Sequence, residues 1–207
     1  MREYPLLCDD SVVRAILSGA QTQDRRPVKP QPGGGCLLTG PNQWGNWEPI
    51  TGRTDIDEDA GEIAGQDEWV SPSGVAGDRL WVRECWAPCF CDGTECERRD
   101  GCVMRSPACH RATHAGPDPL RWRPSIHMPR RVCRIMLEVL RVWVERVQDI
   151  SNEDAVAEGI PNDCRTYQDD APRMLFAHLW DSLYAARGLG WDANPWVWAC
   201  EFRMVKP

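Results

Sequence analysis

Cys85, Cys89, Cys91, Cys96, Cys102 and Cys109 fall within a short stretch of the chain, together with His110 and His114. The spacing Cys91-x4-Cys96-x5-Cys102-x6-Cys109 places four thiols in a segment with few aliphatic residues. Such a segment cannot order itself by burying apolar surface, whereas a tetrahedral Zn²⁺ held by four thiolates would order it. Structural zinc on Cys91, Cys96, Cys102 and Cys109 is therefore the leading reading, with Cys85, Cys89, His110 and His114 as alternate ligands. An iron–sulfur centre and unligated thiols are the other two readings. A deaminase-type catalytic zinc is excluded, because His-x-Glu and Pro-Cys-x-x-Cys are both missing from the chain.

A second chemical signal is a carboxylate at the end of a strand. Gly77-Asp78 reads as a turn, and Leu80, Val82 and Glu84 then share one face of a strand, with Trp81 and Arg83 on the other. An inward carboxylate on a half-buried strand is a site candidate. His127 sits in the Pro-bounded stretch Pro124 to Pro129, which is extended or turned rather than helical. Nearness of Ser125 and His127 in sequence does not make a nucleophilic dyad, so they are read as ligand hydrogen-bonding residues, with Arg130 as a phosphate contact.

The elements that would position these groups follow from the pattern. Asp9 caps a helix with Val12, Val13, Ile16 and Leu17 at helical spacing, and Gly19 stops it. A polar loop from Ala20 to Arg26 follows, then a strand near Pro27 to Lys29. Residues from Pro30 to about Ser73 are rich in Gly, Pro, Asp and Asn and read as a long loop with at most a short strand. Arg131 to Val147 reads as two strands, or one strand with a bulge near Leu140 to Val142, its apolar face carrying Cys133, Ile135, Leu137 and Val139. Ser151 with Asp154 resembles a capping box for a helix ended by Gly159. A second helix runs from about Ala171 to Arg187 with Leu175, Leu179, Trp180 and Leu183 on its apolar face, and a last strand covers Trp196 to Val205.

The composition narrows the partners. Net charge is -7, with 31 acidic against 24 basic residues, so bulk attraction to a long nucleic-acid duplex is not expected. Arg121, Arg123, Arg130, Arg131 and Arg134 form one local basic cluster. The 11 Trp, against 3 Phe and 3 Tyr, supply large flat surfaces that fill cores and stack on planar ligands. No apolar run reaches membrane-spanning length, and the start lacks the layout of a signal peptide, so a cytoplasmic protein with reduced thiols is expected.

Gly19-Ala20-Gln21-Thr22-Gln23-Asp24-Arg25-Arg26 resembles the ASCH family signature Gly-x-Lys-x-x-Glu-x-Arg. Gly19 and Arg26 match, Asp24 stands at the Glu position, and Gln21 replaces the Lys. The Gly77-Asp78 turn with its carboxylate-bearing strand, and the closing strand Trp198 to Val205, are similar to later parts of the same family. Arg123 to Arg130 resembles a stretch of small phage and prophage members.

The resemblance implies an α+β fold, a PUA-like mixed β-barrel with peripheral helices, formed by residues 1–207 as one domain. The segments at about 30–75 and 87–120 are then insertions. It implies a nucleobase-containing ligand in the barrel cleft: a nucleoside, a nucleotide or short single-stranded RNA. Gln21, Thr22, Arg26, Trp81, Ser125, His127 and Arg130 are the expected ligand contacts. Some members are amidohydrolases acting on N4-acetylcytidine, and by motif Gln21, Asp24 and Glu84 take their catalytic positions. Gln21 can neither carry charge nor shuttle a proton, but an amide can pair with a base edge. Base binding is therefore expected ahead of hydrolysis.

Overall fold

In a computed structural model the described residues are 1–32, 36–41, 46–51, 69–88, 108–114, 121–161 and 171–205. A five-stranded mixed sheet dominates. In chain order its strands are β1 (Glu3–Leu7), β2 (Gln23–Pro27), β6 (Arg79–Arg83), β9 (Met136–Arg146) and β10 (Trp196–Val205). They lie in the order β1-β6-β9-β10-β2, with β1 parallel to β6 and the other pairs antiparallel.

Helix α1 (Asp10–Ser18) begins where the Asp9 carboxylate accepts the backbone N–H groups of Ser11 and Val12, both at 2.9 Å. Gly19 ends it at φ 76°, a left-handed conformation that side chains disfavour. Its buried residues, Val13 and Ile16, pack with Leu6, Leu80, Val82, Leu137, Val139 and Phe202 into the main core. The alternation along β6 leaves Leu80 and Val82 fully buried and Trp81 and Arg83 half-buried. Strand β9 is one element of 11 residues. Its pairing with β10 skips Leu140, which forms the expected bulge opposite Glu201 and Phe202.

Three expectations need correction. The polar run after α1 is no loop: Gln23 to Pro27 pair with β10, Asp24 opposite Cys200 and Arg26 opposite Trp198. The run from 30 to 75 holds a second sheet, β3 (Cys36–Pro41), β4 (Asn46–Thr51) and β5 (Trp69–Val70), in that order. Among the described residues the main sheet is not a closed barrel. Its edge strands, β1 and β2, are joined by the Arg26 side chain, whose Nη2 donates to the Leu7 carbonyl at 3.0 Å.

A second core joins α2 (Asn152–Ala157) and α3 (Ala171–Tyr184) to the sheet through Val147, Ile150, Phe176, Trp180 and Val197. On α3 the buried stripe is Pro172, Phe176 and Trp180, not the leucines: Leu175, Leu179 and Leu183 are 46%, 44% and 52% exposed. Both stripes have helical spacing. The aromatic one is chosen because Trp180 meets Phe176 and Tyr184 with ring centroids 6.0 and 4.4 Å away, and Phe176 meets Trp191 at 6.3 Å. Among the described residues no helix is long and apolar enough to cross a membrane.

Candidate functional site

A cleft of about 450 Å³ opens where β1 runs into α1. Its walls include Leu7, Cys8, Asp10, Arg111, Trp122 and Ser125, with Asp9 and Cys85 beside them. The wall residues are delivered by several elements. Leu7 ends β1, Asp10 opens α1, and Cys85 lies between β6 and the short strand β7 (Trp86–Pro88). Arg111 follows β8 (Ala108–His110), and its backbone N–H donates to the Cys85 carbonyl at 2.9 Å.

Trp122 and Ser125 hang on a segment pinned from two sides. Trp86 and Arg123 exchange backbone hydrogen bonds of 2.7 and 3.1 Å. The Arg123 guanidinium stacks 5.2 Å from the Trp86 ring. Arg83 donates to the Ser125 carbonyl at 3.1 Å and to the Ile126 carbonyl. Trp122 is steadied edge-on by His114, at 5.3 Å and 73°. Across the cleft, Arg111 Nε donates to Asp10 Oδ2 at 2.5 Å. Burial pushes the Cys8 and Cys85 thiols up, so neither is poised as a thiolate nucleophile near neutrality.

Asp24 of the signature and Glu84 do not line this cleft. The Cys8 thiol lies within electrostatic reach of Asp24, Arg26 and Glu84. Asp24 Oδ2 accepts from Arg26 Nε at 2.7 Å, the guanidinium that also holds the Leu7 carbonyl. Glu84 is wholly buried just beyond β6, and both its oxygens accept from Arg134 at 2.8 Å. Each carboxylate is thus taken up by its own arginine.

Gln21 is turned inward. It is buried, donates to the Gln23 carbonyl at 3.0 Å and packs beside Gly159. It borders a second polar cluster built around Arg25, whose side chain is fully buried. Arg25 Nε reaches Glu145 at 2.7 Å, while Nη1 reaches Gln23 Oε1 at 2.7 Å and Glu158 at 2.9 Å. Asp154 stands 3.6 Å from Nη2. Trp143 is flanked by Arg25 and Arg141 at 5.6 and 4.8 Å.

Burial, with the nearby Asp24 charge next in weight, pushes the Glu158 carboxyl up to about 8. The folded chain therefore keeps this proton to about pH 8, whereas the unfolded chain releases it near the ordinary value of about 4.3. Stability should fall as pH rises through that window. Glu158→Gln cannot titrate there, so urea midpoints at pH 5 and pH 9 should differ less for the variant than for the wild type. An unchanged difference would remove Glu158 from the pH dependence.

The other sequence-derived candidates are dispersed. Thr22 is exposed, its backbone N–H donating to the Ala157 carbonyl and its carbonyl accepting from Phe202. Trp81 is stacked by Arg83 at 5.2 Å. His127 is exposed in a 3-10 turn, and Arg130 makes a surface pair with Glu3 at 2.8 and 3.1 Å. Of the expected contacts, Ser125 lines the cleft and Arg26 supports its wall.

Of the proposed zinc ligands, Cys91, Cys96 and Cys102, with the alternate Cys89, lie outside the described residues. Cys109 is half-exposed on β8. His110 is buried with Nε2 3.0 Å from the Val132 carbonyl and 4.0 Å from Glu84. Among the described residues no three His, Cys, Asp or Glu gather as a metal site. The sequence reading passed over Asp10 as a cleft residue, along with Arg111 and Trp122. The available signal was Trp122 lying between Arg121 and Arg123 in a stretch that cannot be helical.

No family model matches the chain, and no curated protein matches it. Two solved structures are similar to it along its whole length. One is a protein from Enterococcus faecalis carrying the family label DUF984, 9% identical, with TM-score 0.43 and 82% of its own chain covered. The other is an ASCH domain from Lactobacillus crispatus, 9% identical, with TM-score 0.39 and 81% of its chain covered.

Proposed function

We propose that the chain binds a nucleobase-containing ligand (a nucleoside, a nucleotide or short single-stranded RNA) in the cleft walled by Trp122, Arg111 and Asp10. The observation that carries this reading is the cleft itself. A volume of about 450 Å³ lies within the roughly 300–1,000 Å³ of small-ligand sites, and its wall sets an indole beside a guanidinium and a carboxylate. An indole stacks on any base, while the polar pair addresses the base edge. Exposed Arg121 and Arg123 flank Trp122 and suit a phosphate. The acidic total charge fits a short ligand held locally rather than a duplex held by its backbone. The signature resemblance points the same way.

Hydrolysis of an N4-acylated cytosine has less support. Gln21 faces the Gln23 carbonyl, and the oxygens of Glu84 are both engaged by Arg134. A general base must come within reach of the substrate, and Glu84 is wholly buried and does not line the cleft.

Trp122→Ala tests the binding reading. Base stacking on an aromatic side chain contributes about 1–3 kcal/mol. Calorimetric titration of the variant with a nucleoside or a short single strand should therefore show affinity reduced by about fivefold or more. An affinity within twofold of wild type would place the ligand away from this cleft.

A further inference from the structure

Granted base binding in this cleft, we infer that the ligand is a single-stranded oligonucleotide whose phosphates run along Arg121, Arg123 and Arg131. From Arg121 to Arg134 the chain holds five arginines, one histidine and no acidic residue, in a protein of net charge -7. Arg25, Arg26, Arg111, Arg130, Arg134 and Arg203 each pair with a carboxylate. Arg121, Arg123 and Arg131 are exposed and make no ion pair among the described residues. Arg123 lays only the flat face of its guanidinium on the Trp86 ring, which leaves the N–H donors at its rim toward solvent. Positive charges gathered without counter-charge raise a local potential that an anion relieves.

The segment that carries these charges is fixed in place. Met128 and Val132 are buried with Trp86 and Ala108, and two 3-10 turns, Ser125–His127 and Arg130–Val132, shape the backbone. Arg123 is held by its backbone pairing with Trp86. The segment begins at the cleft, where Trp122 and Ser125 are wall residues, and Arg130 reaches Glu3, at the end of β1 away from Leu7. Four residue steps of strand, about 13 Å, separate Glu3 from the cleft residue Leu7. A nucleoside against Trp122 carries no phosphate and leaves the guanidiniums unmet. A strand that places one base in the cleft brings a phosphate at each residue beyond it. A duplex keeps its bases stacked and has none to offer the indole, so the strand is single.

The experiment is calorimetric titration with cytidine and with an RNA hexanucleotide, each at about 50 and about 200 mM salt. Three phosphate contacts on a single strand give a slope of about −2.1 in log affinity against log salt, so the hexanucleotide should weaken about twentyfold. The uncharged nucleoside should change by less than about twofold. Arg131→Ala removes one contact, and its affinity for the hexanucleotide should fall only about sevenfold over the same range. The Arg131 side chain is exposed and unpaired among the described residues, so the variant keeps the fold. A hexanucleotide no more salt-dependent than cytidine overturns the phosphate track while leaving base binding in place. An Arg131→Ala slope equal to that of wild type, or inorganic polyphosphate binding as tightly as the hexanucleotide, does the same. Failure of both cytidine and the hexanucleotide to bind overturns base binding as well.

Discussion

Arg25→Met should lower the stability of the fold by about 3–5 kcal/mol at neutral pH, the range found when one partner of a buried ion pair is removed. The guanidinium is fully buried; it is the counter-charge for Glu145 and Asp154 and also donates to Glu158, which holds its own proton near neutrality. Methionine keeps much of the volume and the contact with Trp143, so the deficit reports charge rather than packing. The deficit should shrink on acidification below about pH 4.3, where carboxylates take up protons and the missing counter-charge matters less. Urea denaturation at pH 7 and pH 4 measures both effects. A deficit under 1 kcal/mol, or one independent of pH, would show that the carboxylates are solvated by other means.

Arg134→Met should be nearly as damaging and should cost more than Glu84→Gln. Glu84 is wholly inaccessible, while the Arg134 side chain is 31% exposed. Deleting the arginine strands a buried carboxylate beside His110, whose imidazole burial keeps on the neutral side despite the Glu84 charge. Replacing Glu84 by glutamine leaves an arginine that can turn to water and keeps its bond to Thr113. The expected losses are about 3–5 kcal/mol for Arg134→Met and about 1–3 kcal/mol for Glu84→Gln, read from urea midpoints. The opposite order would mean that the pair is organised around Arg134.

Where local chemistry decides the structure, the sequence was readable. The Asp9 cap, the Gly19 stop, the alternation along β6, the Ser151 capping bond to the Asp154 N–H at 3.0 Å and the bulge at Leu140 are all settled by neighbours in the chain. Strand β2 was not readable, because Gln23-Asp24-Arg25-Arg26 carries nothing of a strand's apolar alternation. What makes it a strand is β10 on one side and, for Arg25, carboxylates 120 and 133 residues away. Helix α3 has two apolar stripes, and only the positions of Trp191 and Val197 decide which one is buried.

The candidate site divides in the same way. Asp24, Arg26 and Glu84 are legible from the motif, but the arginine that engages Glu84 lies 50 residues further on. Trp122 becomes a cleft residue only because Arg123 pairs with Trp86 and Arg83 grips Ser125 and Ile126. Those contacts join segments far apart in the chain and leave no trace in spacing.

The bond from Arg26 to the Leu7 carbonyl has a bearing on how the molecule yields. Elsewhere the main sheet is sewn by rows of backbone bonds that must part together, but between β1 and β2 the described join is a single guanidinium. That seam runs along the wall of the cleft. The two edge strands can therefore separate there without any ladder breaking, and a place poised to give under heat or denaturant is the lip of the cleft. A tenant of the cleft that presses on Leu7 acts on a fastener, and one that braces it rivets the two ends of the sheet.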